Sequence, residues 1–277
     1  MTVTVPRVSL LSGAEIPVLG LGTWPMDDAE AERVIAKAIE LGYRSFDTAF
    51  NYRNETGVGR GLAAAGVPRE ELFVTTKFNA EWHGVDLVRE AFKDAASRLG
   101  VDYLDCLMIH WPNPAQDRYV DAWRGLIRLR DEGLVRAIGV SNFKVSHLER
   151  ILAETGVAPD LNQVQCDPRH SRPAVRAFDA EHGIVTESWS PLGQGRGLLE
   201  TPVVQAIAER LGHTPAQVVL RWHLELGLVA IPKTSTPERL EENLGALATS
   251  LSPSDLEALA TLDQGDVGTV DSDSFGH

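Results

Sequence analysis

Four polar residues stand where successive apolar runs end, or in the loops just beyond them: Asp47, Tyr52, Lys77 and His110. They fall in Phe46-Asp47-Thr48-Ala49, Asn51-Tyr52, Thr76-Lys77-Phe78 and Ile109-His110-Trp111-Pro112. A carboxylate, a phenol, an amine and an imidazole are costly to desolvate unless they satisfy one another. If the runs are neighbouring strands of one parallel sheet, their C-terminal ends bring the four groups together. Alternation along 72–77 puts Phe73, Thr75 and Lys77 on one face. A lysine near Asp47 stays charged. Beside a phenol it stabilises phenolate and lowers the Tyr52 pKa from its free value of about 10. A tyrosine so tuned gives a proton to an oxygen near neutral pH and recovers it afterwards. His110 would orient the same oxygen. No residue of the set is an obvious nucleophile, so the chemistry is protonation of a carbonyl oxygen while an external donor delivers hydride to the carbon. Singly, each residue has a plainer reading: a loop cap, a surface aromatic, a snorkelling amine, a satisfied core histidine. Jointly, four such groups at successive strand ends are poorly explained that way.

The elements that must position them are apolar runs at 18–21, 43–47, 72–77, 103–110, 135–140, 161–165, 184–188 and 229–231. Amphipathic stretches lie between them at 28–41, 85–99, 118–130, 173–182, 202–211, 215–226 and 237–248. Eight strands alternating with helices predict a (β/α)₈ barrel rather than a doubly wound sheet. No linker divides residues 1–277, which read as a single domain. Residues 7–17 read as a β-hairpin with a Ser-Gly turn that closes the bottom of the barrel. Residues 264–277, without periodicity and rich in Gly, Asp and Ser, read as a mobile tail.

A formal net charge of −13 disfavours nucleic acid and anionic membranes as partners. Cys106 and Cys166 have neither disulfide nor zinc spacing, so the reading is a reducing, cytoplasmic compartment and no metal. The first residues, Met1 to Pro6, lack the charged start and apolar core of a signal peptide. The expected partner is a small carbonyl compound, and the expected state a monomer.

An anionic ligand would need a local basic cluster, and one follows the eighth strand: Lys233, Thr234, Ser235 and Arg239 at the start of a helix. Unpaired N–H groups and the helix dipole favour a phosphate there. Arg239 can bind it bidentately and Lys233 as a point charge. Two cations fit a second phosphate, so NADP is favoured over NAD. The alternative is a solvated helix start with incidental basic residues. Trp189 is a candidate to stack on a nicotinamide, or simply packs at the rim. The amides of Asn142 and Gln163, with Ser141, can hydrogen-bond a carboxamide. Ser190-Pro191-Leu192-Gly193-Gln194 leads into a glycine-rich loop that lets backbone approach a pyrophosphate. Trp24, Trp82 and Trp111, with Phe50 beside them, would wall an apolar substrate slot. Gly57-Val58-Gly59-Arg60-Gly61 imitates a dinucleotide motif but follows no strand.

These motifs carry a resemblance. With Leu21-Gly22-Thr23-Trp24, Ile138 to Phe143, Asn162-Gln163-Val164-Gln165, Glu187 to Gly195 and Ile231-Pro232-Lys233-Thr234, the chain resembles an aldo-keto reductase from the hairpin to about Asp263. It is most similar in look to bacterial 2,5-diketo-D-gluconate reductase-like members. The resemblance implies a (β/α)₈ barrel and NADPH-dependent carbonyl reduction, with Tyr52 as acid and Asp47, Lys77 and His110 in support. It further implies cofactor contacts at Gly22, Thr23, Trp24 and Asp47, a carboxamide site at Ser141, Asn142 and Gln163, and adenine contacts from Glu242 and Asn243. A rival reading from another class is a cofactor-binding sensor on the same barrel; an intact acid–base set disfavours it.

Overall fold

The computed structural model describes residues 3–277, so Met1 and Thr2, read above for a leader, lie outside it. A short antiparallel pair, β1 (Arg7–Ser9) and β2 (Glu15–Pro17), comes first. Eight parallel strands follow: β3 (Leu21–Gly22), β4 (Ser45–Asp47), β5 (Phe73–Phe78), β6 (Leu104–Ile109), β7 (Val135–Ser141), β8 (Leu161–Gln165), β9 (Val185–Trp189) and β10 (Val229–Ile231). Each pairs with the next in sequence order. A parallel bridge between Leu19 and Ala230, with Gly20 N–H donating to the Ala230 carbonyl, joins last to first and closes the barrel.

The hairpin does plug the bottom. Leu10 and Ile16 are buried with Phe73, Cys106, Ala137, Leu161 and Val229 at the N-terminal mouth of the strands. The larger of these, Leu10, Ile16, Phe73, Leu161 and Val229, each contribute about 1.5–3 kcal/mol by leaving water. This end is apolar and filled, which leaves the C-terminal end for polar groups.

The helices are α1 (Asp28–Leu41), α2 (Glu55–Ala64), α3 (Leu87–Leu99), α4 (Tyr119–Asp131), α5 (Val145–Thr155), α6 (Pro173–Glu181), α7 (Pro202–Leu211), α8 (Pro215–Glu225), α9 (Pro237–Leu244) and α10 (Pro253–Ala260). Their apolar stripes pack outside the barrel, where Trp123, Val34, Ile35 and Leu126 are fully buried. Helix α2 was not among the sequence expectations. Its glycines are poor helix formers, yet the packing requires them. A Cβ on Gly57 would lie 2.1 Å from the Asp28 carbonyl oxygen, and one on Gly59 would lie 2.2 Å from that of Leu99. The glycine run that imitates a nucleotide motif is therefore a seat for α1 and α3.

Candidate active site

The strand ends deliver the four residues as expected. Asp47 closes β4 opposite Thr75, so Lys77, two residues further along β5, projects into the barrel one step above it. His110 directly follows β6, and its N–H continues the ladder to the Phe78 carbonyl at 3.0 Å. Tyr52 arrives from a single 3₁₀ turn, Phe50–Tyr52, after β4. Lys77 Nζ donates to Asp47 Oδ1 at 2.6 Å and to the Thr48 carbonyl at 3.0 Å. The same ammonium lies 5.2 Å from the centroid of the Tyr52 ring, and the His110 ring stands edge-on to Tyr52 at 5.8 Å.

Burial sets the protonation states. It would lower the pKa of Lys77, but Asp47 foremost, with Tyr52 and Glu187, more than offsets this and holds the ammonium above its usual range. Tyr52 corrects the sequence expectation: burial raises it, and the attraction of Lys77 opposes that shift without reversing it. The phenol is thus a proton holder at neutral pH. His110 falls well below the usual histidine range, through burial first and then the positive Lys77, so its ring is uncharged.

A second ring of polar groups supports the first. Gln163 on β8 donates Nε2–H to Asp47 Oδ2 at 2.8 Å and to Glu187 Oε2 at 2.6 Å. Glu187 sits directly across from Gln163 in the β8–β9 register. Burial, then the charge of Asp47, push its carboxyl up to about 8. In the sequence Glu187 stands within a family motif with no role assigned to it, although a glutamate inside an apolar strand run is a visible anomaly. Asn142 is spent inside the protein: its amide donates to the His110 carbonyl and to Ser141 Oγ, each at 3.0 Å, and its oxygen accepts from Trp189 Nε1 at 3.0 Å. It does so from a left-handed backbone (φ 63°), unusual for a residue other than glycine. The Trp189 indole is thereby pinned.

These groups open into a cavity of about 450 Å³ lined by Gly22, Thr23, Trp24, Asp47, Tyr52, His110, Trp111, Ser141, Asn142, Gln163, Trp189, Ser190, Gln194 and Lys233 among others. Larger grooves lie under the hairpin and beside α9, but neither gathers an acid–base set. At one side of the rim Lys233 is exposed and donates to Ser235 Oγ at 2.8 Å. Arg239, on the first turn of α9, is also exposed. Among the described residues neither is within ion-pair distance of a carboxylate.

Comparison with known proteins agrees with this geometry. The sequence matches the Aldo/keto reductase family over residues 18–264. The chain belongs to the aldo-keto reductases. It is 47% identical over 270 residues to a protein of Escherichia coli named methylglyoxal reductase DkgA, covering 97% of this chain and 98% of that one. An aldo-keto reductase of Mycolicibacterium smegmatis is 46% identical over 260 residues, 94% of either chain. Among solved structures, a Gox0644 mutant in complex with NADPH superposes with a TM-score of 0.94 at 42% identity, over 99% of both chains. A Bombyx mori aldo-keto reductase in complex with NADP gives 0.88 at 31% identity, over 95% and 94%.

Within this aldo-keto reductase several expectations need correction. Phe50 and Trp82 do not line the cavity. They pack edge-to-face on one another at 6.4 Å, and Arg98 caps Phe50 at 5.0 Å. The opposing wall comes from the tail, which is not a free end. Phe275 packs on Trp111 at 4.9 Å, and the His277 carbonyl accepts from Ala80 N–H at 2.6 Å. Lys144 bridges Asp271 and Asp273 at 2.5 and 2.6 Å, fixing the segment by charge rather than periodicity. Trp24 stands 58% exposed at the mouth. Pro191, Leu192, Thr234, Ser235, Arg239, Glu242 and Asn243 lie outside the cavity proper. Arg239, half-buried Ser235 and Glu242, and buried Thr234 and Asn243 form a shelf along α9, while the Pro191 carbonyl accepts from His223.

Proposed function

We propose that the protein reduces a small aldehyde, α-dicarbonyl or keto-sugar acid to the alcohol, with NADPH as reductant and Tyr52 as general acid. The observation that carries this reading is one cavity lined by Tyr52, His110 and Asp47, with buried Lys77 bound to Asp47 at 2.6 Å behind it. The rim fits the cofactor. Two unpaired cations suit phosphates, the pinned face of Trp189 suits a flat ring, and the Gln163 amide oxygen suits a carboxamide. NADPH, when bound, supplies the hydride that the protein itself lacks. Tyr52 gives its proton to the carbonyl oxygen, and the Lys77 ammonium, held by Asp47 and Thr48, stabilises the phenolate that remains. His110, uncharged, hydrogen-bonds the same oxygen and orients it. Tyr52 then recovers a proton from water reaching the cavity.

Trp24, Trp111 and Phe275 offer an apolar wall to a compact substrate, and the relatives named methylglyoxal reductase favour an α-dicarbonyl within the class. NADPH oxidation measured across methylglyoxal, simple aldehydes and keto-sugar acids tests this. Turnover is expected with at least one class and is expected to vanish in Tyr52→Phe. Retained turnover in that variant would remove Tyr52 from the mechanism.

A further inference from the structure

A primary amide has two N–H donors and one oxygen, and at the ends of β7 and β8 almost all such capacity is already used. Asn142 spends both donors and its oxygen on the protein. Ser141 donates its hydroxyl to the Gln163 carbonyl at 3.0 Å. Gln163 spends both donors on the carboxyl groups of Asp47 and Glu187. Among the described residues no donor reaches Gln163 Oε1, although the side chain lines the cavity. That oxygen is the acceptor left for a ligand.

Which atom faces the ligand is a choice between two amide orientations. Turning Gln163 over would set its oxygen against the Asp47 carboxylate and withdraw the N–H donors from two buried carboxyl oxygens. Asp47 takes one of the two N–H groups on Oδ2, while Lys77 holds its Oδ1 at 2.6 Å. Among the described residues Glu187 has a single hydrogen-bond partner, Gln163, and faces it across the strand pair. The residue is fully buried, and among the described residues it makes no ion pair.

We propose that Glu187 is a positioning residue for the cofactor's carboxamide: by holding one Gln163 N–H, it fixes Oε1 as an acceptor toward the cavity. The Gln163 oxygen then selects a ligand group bearing N–H₂. This rests on the NADPH reading above and extends it to a residue that touches neither cofactor nor substrate.

The test is binding to the resting protein, followed by tryptophan fluorescence, of NADP⁺ and of its 3-acetylpyridine analogue, which keeps the carbonyl but lacks the N–H₂. The wild type should prefer NADP⁺ by about tenfold, the value of one buried hydrogen bond. Glu187→Met, which conserves volume but accepts no hydrogen bond, should collapse that preference toward unity. Glu187→Gln, which still accepts, should restore it. Should Glu187→Met not fold, Glu187→Ala carries the same comparison. An undiminished preference in a folded variant lacking the acceptor would overturn the proposal, since a merely structural residue weakens both ligands alike. Equal wild-type affinity for the two ligands would overturn it as well. Failure of the wild type to bind NADP⁺ at all would overturn the cofactor reading and this proposal with it.

Discussion

Two sets of charges at the same end of the barrel are built on opposite plans. Asp47, Lys77, Gln163 and Glu187 are buried and satisfy one another before any ligand arrives. Lys233 and Arg239 stand exposed on the other side of the rim with no carboxylate in reach among the described residues. The contrast follows from solvation. An unpaired charge in the interior is prohibitive, whereas a cation in water waits for a phosphate at little cost. The buried set is therefore suited to positioning and tuning a proton, and the exposed set to supplying affinity. They should fail in different ways when broken.

The largest effect is expected on the buried side. Lys77→Met leaves Asp47 without its cation and should cost roughly 3–5 kcal/mol of stability. It should also lower turnover by about a thousandfold or more. Denaturant unfolding and steady-state rates at pH 7 measure both. The double variant Asp47→Asn with Lys77→Met should recover much of the stability and none of the rate. Recovery of rate would show the pair to be structural only.

On the exposed side, Lys233→Ala combined with Arg239→Ala should leave unfolding within about 0.5 kcal/mol of wild type, as surface changes usually do. NADPH binding should weaken by about a hundredfold, two charge-assisted contacts having gone, with NADH scarcely affected. Equal losses for the two cofactors would contradict a role in binding the additional phosphate.

A third carboxylate separates burial from pairing. Asp179 is buried with only neutral donors, Thr186 at 2.7 Å and Asn162 at 3.3 Å, and burial pushes it up to about 7. The folded state then keeps a proton that the unfolded chain releases near pH 4. Stability from this group is full below about pH 4 and is lost as pH rises toward 7. His83 and His223, lowered to about 4 by burial, act in the opposite sense and gain stability over pH 4 to 6.5. The difference between wild type and Asp179→Asn isolates the carboxylate. The melting temperature of the variant, relative to wild type, should climb between pH 4 and 7 and level off above. A pH-independent difference would refute the shift.

The smallest effect belongs to the tail. Phe275→Ala removes one aromatic partner of Trp111 and should raise the substrate KM about threefold with kcat unchanged, in keeping with the energy of one aromatic pair.

Much of this was legible in the sequence, because strand ends in a parallel barrel must converge. Asp47, Lys77 and His110 announce themselves as polar stops to apolar runs. Lys233 and Arg239 are legible as a pair of cations where a helix starts after the eighth strand. Helix α2 was not, since Gly57 and Gly59 look like turn residues until the carbonyls of Asp28 and Leu99 are seen against them. The tail was not, because its attachment is a set of ion pairs to Lys144 that carries no period. Trp82 and Phe50 misled because loop position does not fix the direction of a ring; Arg98, distant in sequence, decides it. Tyr52 was placed correctly and tuned wrongly, since proximity to Lys77 was weighed without the larger cost of burial.

The division of labour is tested most directly by measuring kcat and the NADP⁺ dissociation constant together in Tyr52→Phe and in the Lys233→Ala, Arg239→Ala pair. A crossed result is expected. The tyrosine variant should lose turnover by about a thousandfold while binding NADP⁺ as wild type does. The cation pair should lose affinity but keep its kcat at saturating NADPH. Loss of both properties in both proteins would contradict it.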